Sequence, residues 1–165
     1  MNEKQALITG SFDPITKGHV ALIERAALLF DHLYISVTHN TQKQSYFSLP
    51  LRTKWVQQVT DHLNVTVVQN TDQLTADIAK ALGVTCCIRG IRNTQDFIYE
   101  QNLANILHTY PPYLETLCLF TEPEYQMISS SLVRELLYYQ GDIRSYVPEA
   151  LVQDIYDAYA QNKKE

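Results

Sequence analysis

Short runs rich in β-branched residues alternate along this chain with longer amphipathic stretches, and no other feature limits its fold as much. The runs at residues 6–9, 33–38, 65–69, 85–89 and 116–120 have the length and composition of strands covered on both faces. Between them the spacing predicts helices near residues 19–30, 49–62, 74–82 and 95–108. In the first of these, Val20, Ile23, Ala27 and Phe30 share one stripe. Gly83 ends the third, and Pro111-Pro112 stops the fourth. Two further helices, near residues 129–139 and 148–161, close the chain. Alternating strands and helices need crossover connections. The expected architecture is therefore α/β, a doubly wound five-stranded parallel sheet with helices on both faces. No linker or repeat divides residues 1–165, so one domain is expected, with the helices at about 129–161 included.

In such sheets ligands bind beyond the carboxyl ends of the strands, so functional side chains are expected in the segments that succeed the apolar runs. After the first run come Gly10-Ser11-Phe12-Asp13-Pro14 and then Gly18-His19. Gly10 permits a tight turn, and a helix start offers unpaired N–H groups suited to phosphate. His19 on the first turn would face the same cleft, with Lys17 close by. Neither the three-glycine dinucleotide fingerprint nor a phosphate-binding P-loop is present. After the fourth run, Arg89-Gly90-Ile91-Arg92 precedes Asp96 and Glu100. Two arginines around a glycine suit a phosphate, which guanidinium groups bind bidentately; pairing with Asp96 or Glu100 is the alternative. After the fifth run stand Ile128-Ser129-Ser130-Ser131-Leu132-Val133-Arg134. One serine caps a helix, whereas three in a row exceed what a cap requires.

Composition narrows the function. A formal charge of −5 argues against general nucleic-acid binding while leaving small anionic substrates open. Cys86, Cys87 and Cys118 lie in apolar runs with no metal spacing and read as core thiols of an intracellular protein. The first residues lack the pattern of a signal peptide, and no apolar run approaches the ~18 residues of a membrane span. A cytoplasmic location is expected, with no membrane partner.

Taken together, these strings resemble a known family. Gly10-Ser11-Phe12-Asp13-Pro14-Ile15-Thr16-Lys17-Gly18-His19 is similar to the first motif of the T/H-x-G-H nucleotidyltransferases, and more narrowly of the phosphopantetheine adenylyltransferases. Arg89-Gly90-Ile91-Arg92, followed by Asp96-Phe97-Ile98-Tyr99-Glu100, resembles that family's second motif, and Ile128-Ser129-Ser130-Ser131 its third. Ser11 stands where threonine is usual and Thr9 where proline is common.

The resemblance implies a Rossmann-like fold and transfer of AMP from ATP to 4′-phosphopantetheine, giving dephospho-coenzyme A and pyrophosphate. It assigns ATP to Ser11, Phe12, His19, Gly90, Ile91, Arg92, Glu100, Tyr125, Gln126, Met127, Ile128, Ser129, Ser130 and Ser131. It assigns the acceptor to Ser11, Lys43, Thr75 and Arg89, and the reacting centre to His19, Lys43, Ser11 and Arg92. Lys43 is placed by counting back from Phe47-Ser48-Leu49, where Pro50-Leu51 replaces the family's acidic pair. No metal-ligating residue is expected, and Mg²⁺ would bind mainly through ATP phosphates. The resemblance further implies a homohexamer and the possibility of feedback by coenzyme A. Rival readings are a nicotinamide mononucleotide adenylyltransferase, a cytidylyltransferase and a non-catalytic nucleotide-sensing module.

Overall fold

A computed structural model describes residues 3–39, 44–109 and 114–163. Within them the chain runs β1 (Gln5–Gly10), α1 (Lys17–Ala27), β2 (His32–Thr38), α2 (Leu49–Thr60), β3 (Val65–Asn70), α3 (Thr75–Leu82) and β4 (Cys86–Ile91). It continues through α4 (Thr94–Thr109), β5 (Glu115–Phe120), α5 (Ser130–Tyr138) and α6 (Val152–Asn162), with single 3₁₀ turns at Pro123–Tyr125 and Glu149–Leu151. The strands form one parallel sheet in the order β3-β2-β1-β4-β5. This is the expected doubly wound, Rossmann-like arrangement, and its strand order reverses between β1 and β4.

Side chains alternate across the central strands, so each face acquires its own core. Ala6 and Ile8 of β1 and Ile88 of β4 join Ile23, Trp55, Val133 and Ile155 on the face covered by α1, α2, α5 and α6. Leu7 and Cys87 point the other way and pack with Ile78, Ala79 and Leu107 of α3 and α4. The outer strands depart from expectation. β5 is exposed along most of its length, because α4 buries only Glu100 and Leu107 and turns Ile98, Tyr99 and Ile106 to solvent. Cys118 is accordingly exposed and Cys86 half-buried, so only Cys87 is a core thiol; burial pushes its pKa up to about 12.

Local chemistry accounts for the helix boundaries. α1 begins two residues earlier than its apolar stripe because Thr16 caps it, accepting from the His19 N–H. It ends at Leu28, short of Phe30. Ser48 precedes α2, and Pro50 occupies its first turn, where a missing N–H costs nothing. Gly83, with φ 69°, closes α3 in the left-handed conformation, as its position predicts.

The register between β1 and its neighbours opens a cleft. β1 pairs with β2 over six residues but with β4 only at Leu7↔Cys87 and Ile8↔Ile88. Beyond that point the two strands part. β4 still pairs with β5 up to Ile91↔Phe120, so the strand continues past Arg89, its expected end, through Gly90 to Ile91.

Candidate active site

A cleft of about 350 Å³ fills the gap between the diverging ends of β1 and β4. Its walls come from the loop after β1, the first turn of α1, the end of β4, α4 and the start of α5. Three motifs separated in sequence thus converge at the point where strand order reverses, as ligand sites in such sheets do.

The loop after β1 is shaped by Gly10 and Phe12. Phe12 adopts a left-handed backbone (φ 46°), uncommon for a bulky residue, and its ring folds back over Gly10. A Cβ on Gly10 would lie 3.0–3.3 Å from three atoms of that ring. The ring also meets His19 edge-on, with centroids 5.2 Å apart. His19 Nδ1 accepts the Thr16 main-chain N–H at 3.0 Å, which leaves the ring proton on Nε2. Enclosure in the cleft, and secondarily the Arg92 charge, lower its pKa to about 4. The imidazole is therefore a neutral donor at pH 7.

Of the α1 N–H groups, little is left for an anion. The Lys17 N–H donates to Tyr146 O at 2.9 Å, and its ammonium donates to Arg144 O at 3.0 Å. Lys17 therefore braces the segment before α6 and does not line the cleft, contrary to the expectation that it sits beside His19. The Gly18 N–H remains free of protein acceptors among the described residues and does line it. At α5, Ser129 Oγ caps the Leu132 N–H at 3.1 Å, Ser130 Oγ donates to Pro14 O at 2.8 Å, and Ser131 Oγ accepts from Arg134 at 3.2 Å. The N–H groups of Ser130 and Ser131 have no protein acceptor among the described residues and open onto the cleft.

Both arginines of β4 and its extension line the cleft, and both are also paired. Arg89 grips Glu100 through Nε (2.6 Å) and Nη2 (3.0 Å), and Thr9 through Nη1. Arg92 holds Asp96 at 2.9 Å and reaches Ile128 O at 3.2 Å. The alternatives of anion binding and carboxylate pairing are thus combined: the carboxylates orient guanidinium groups that still face the cavity. Gly90 between them admits Leu22 of α1, whose Cδ2 would lie 3.1 Å from an added Cβ.

Ser11, Phe12, His19, Arg89, Gly90, Arg92, Glu100, Tyr125, Ile128, Ser129, Ser130 and Ser131 all line this cleft. Ile91 lines a shallow apolar groove with Phe97 and Phe120 instead. Thr75 begins α3 and Gln126 follows the 3₁₀ turn, both outside the lining, and Met127 is 83% exposed. Lys43 lies outside the described residues.

Two residues that sequence reasoning left without a role organise the loop. Arg52 is completely buried, donating to Phe47 O at 3.0 Å, Thr38 O at 2.9 Å and Ser11 O. Asp13 accepts the N–H groups of Tyr46 (2.8 Å) and Phe47 (2.9 Å), while Arg134 donates to its carbonyl and lies 3.7 Å from its carboxylate. Buried charges so fully hydrogen-bonded tie the first loop to α2 and α5. Tyr46 stacks on Tyr159 of α6 at 5.1 Å, so the last helix supports the same loop.

Comparison with known proteins agrees with this geometry. The cytidylyltransferase-like family model matches residues 7–136. Phosphopantetheine adenylyltransferase of Streptococcus pneumoniae (strain CGSP14) is 45% identical over 94% of this chain and 96% of its own. That of Streptococcus sanguinis (strain SK36) is 42% identical over 94% of this chain and 95% of its own. Among solved structures, Plasmodium falciparum nicotinic acid mononucleotide adenylyltransferase superposes with a TM-score of 0.73. At 14% identity, covering 96% of this chain and 98% of that one, it is similar in fold alone. With identity of 42–45% along nearly its whole length, this chain belongs to the phosphopantetheine adenylyltransferase family.

Proposed function

We infer that this protein transfers the adenylyl group of ATP to the phosphate of 4′-phosphopantetheine, forming dephospho-coenzyme A and pyrophosphate. The observation that carries this reading is the convergence of His19, Arg89, Arg92 and the α5 N-terminus on one cleft. The nucleophile is a phosphate oxygen, already anionic at neutral pH, and needs no general base. It attacks the α-phosphorus in line, the bond to the bridging oxygen breaks, and that electron pair leaves with pyrophosphate; no covalent enzyme intermediate arises. Catalysis then rests on alignment and on stabilising charge at the crowded phosphorus.

In this scheme the neutral His19 donates from Nε2 to an α-phosphate oxygen. The family resemblance assigns Ser11 and Lys43 to the same centre, and Lys43 and Arg89 to the acceptor. Arg92 and the free N–H groups of Ser130 and Ser131 receive the departing pyrophosphate. The cleft carboxylates suit a Mg²⁺ carried in on ATP: Asp13 is bound to two main-chain N–H groups, Asp96 to Arg92 and Glu100 to Arg89. A bound ion would lend charge neutralisation to the phosphates and keep its waters. The exposed apolar side chains of α4 and β5, Phe120 at 76% among them, support assembly into the family's homohexamer. A single catalytic domain, a cytoplasmic location and feedback by coenzyme A complete the reading.

The reaction run backwards tests it. Dephospho-coenzyme A, pyrophosphate and Mg²⁺ should yield ATP, whereas nicotinamide adenine dinucleotide with pyrophosphate should not. ATP from the dinucleotide alone would instead favour a nicotinamide mononucleotide adenylyltransferase.

A further inference from the structure

Arg89 is held from two sides of the cleft. Thr9 and Arg89 are the first residues past the last β1–β4 pair, Ile8↔Ile88, where the strands begin to part. The Arg89 guanidinium bridges that gap. On the α4 side, Glu100, itself buried at 8% exposure, binds Nε and one Nη2 hydrogen. On the β1 side, Nη1 donates to the Thr9 carbonyl at 3.0 Å and to the Thr9 hydroxyl at 2.6 Å. Any residue at this position supplies the carbonyl. The hydroxyl belongs to threonine or serine, and the family's common proline lacks it.

The two holds are chemically unequal. Glu100 neutralises the guanidinium as it orients it, and alone would draw it toward α4. The Thr9 hydroxyl adds no charge, so it can fix the group in the gap without weakening its attraction for an anion. Four of the five guanidinium hydrogens are thereby committed, and one on Nη2 is left. The Thr9 hydroxyl, having accepted from Arg89, keeps its own proton to give; it has no protein acceptor among the described residues, and Thr9 lines the cleft.

We propose that Thr9 is a positioning residue that sets affinity for the acceptor's phosphate by holding Arg89 from the β1 side, beside a hydroxyl donor of its own. This rests on Arg89 binding the phosphate of 4′-phosphopantetheine. Because the contact is made in ground and transition states alike, its loss raises KM and leaves kcat.

The test is steady-state kinetics on the full-length protein with Thr9→Val, which keeps a β-branched side chain of similar shape on the strand, and Thr9→Ser. Thr9→Val should raise KM for 4′-phosphopantetheine about tenfold, with kcat and KM for ATP changed less than twofold. Thr9→Ser should restore KM to near the wild-type value. An unchanged acceptor KM in Thr9→Val, an equal rise in both KM values, or no rescue by serine would overturn the proposal. Wild-type protein that makes no product from 4′-phosphopantetheine would sink the substrate reading, and this inference with it.

Discussion

The Thr16 main-chain N–H donates to His19 Nδ1 at 3.0 Å, so a single capping contact fixes both the start of α1 and the tautomer of the cleft's only histidine among the described residues. Burial adds the protonation state. In the folded protein the ring takes up a proton only near pH 4, whereas the unfolded chain does so near 6.5. Between these values the unfolded state binds more protons. The ring's contribution to stability is therefore complete above about pH 6.5 and is lost as pH falls toward 4. A ¹⁵N-edited NMR titration of the His19 ring should show the Nε2–H tautomer at pH 7 and a midpoint near pH 4. A midpoint at 6.5 would mean that the ring is not shielded.

His19→Ala removes a donor aimed at charge that develops during transfer. Turnover should fall on the order of 10²-fold or more, while ATP affinity changes little. Single-turnover rates and calorimetric binding of a non-hydrolysable ATP analogue separate the two effects. Unchanged turnover would remove His19 from the mechanism.

Gly10→Ala places a methyl 3.0 Å from the Phe12 ring, which is 3% exposed and packed edge-on against His19. The ring cannot withdraw without disturbing the imidazole. We expect turnover to fall at least tenfold with a stability loss of only about 1–2 kcal/mol, read from kcat and urea unfolding of one preparation. Wild-type turnover in this variant would show that the packing of Phe12 on His19 is dispensable.

Arg52→Met keeps much of the side-chain volume and deletes every donor. It orphans the carbonyls of Ser11, Thr38 and Phe47 together. Breaking a buried network of this kind should cost about 3 kcal/mol in urea unfolding. Arg52→Lys should recover little, since one ammonium cannot span those acceptors. Equal stability of the methionine variant would mean that the loop is held by other contacts.

Much of this site was legible because strand–helix alternation announces a parallel sheet, and such a sheet places its ligands in advance. Residues carried on local chemistry were readable too: Gly83 at the end of α3, and Ser129 as a cap within a serine run that opens on the cleft. What escaped depends on partners distant in sequence. Arg52 looks like one helical cation among others, because its partners are main-chain carbonyls from three segments. Lys17 was expected only to lie close to His19, and its bonds to the carbonyls of Arg144 and Tyr146, 127 and 129 residues on, could not be read from its neighbours. Thr9 gave no signal beyond an unfamiliar residue in a familiar string, since its hydroxyl acquires meaning only where β1 and β4 diverge.

Which acceptor drives pyrophosphate release decides the substrate. The protein would be incubated with Mg²⁺-ATP and, separately, 4′-phosphopantetheine, nicotinamide mononucleotide and glycerol phosphate. Release is expected with 4′-phosphopantetheine alone, in step with dephospho-coenzyme A. Release with either of the other acceptors at comparable rate, or with none, would contradict the proposed function.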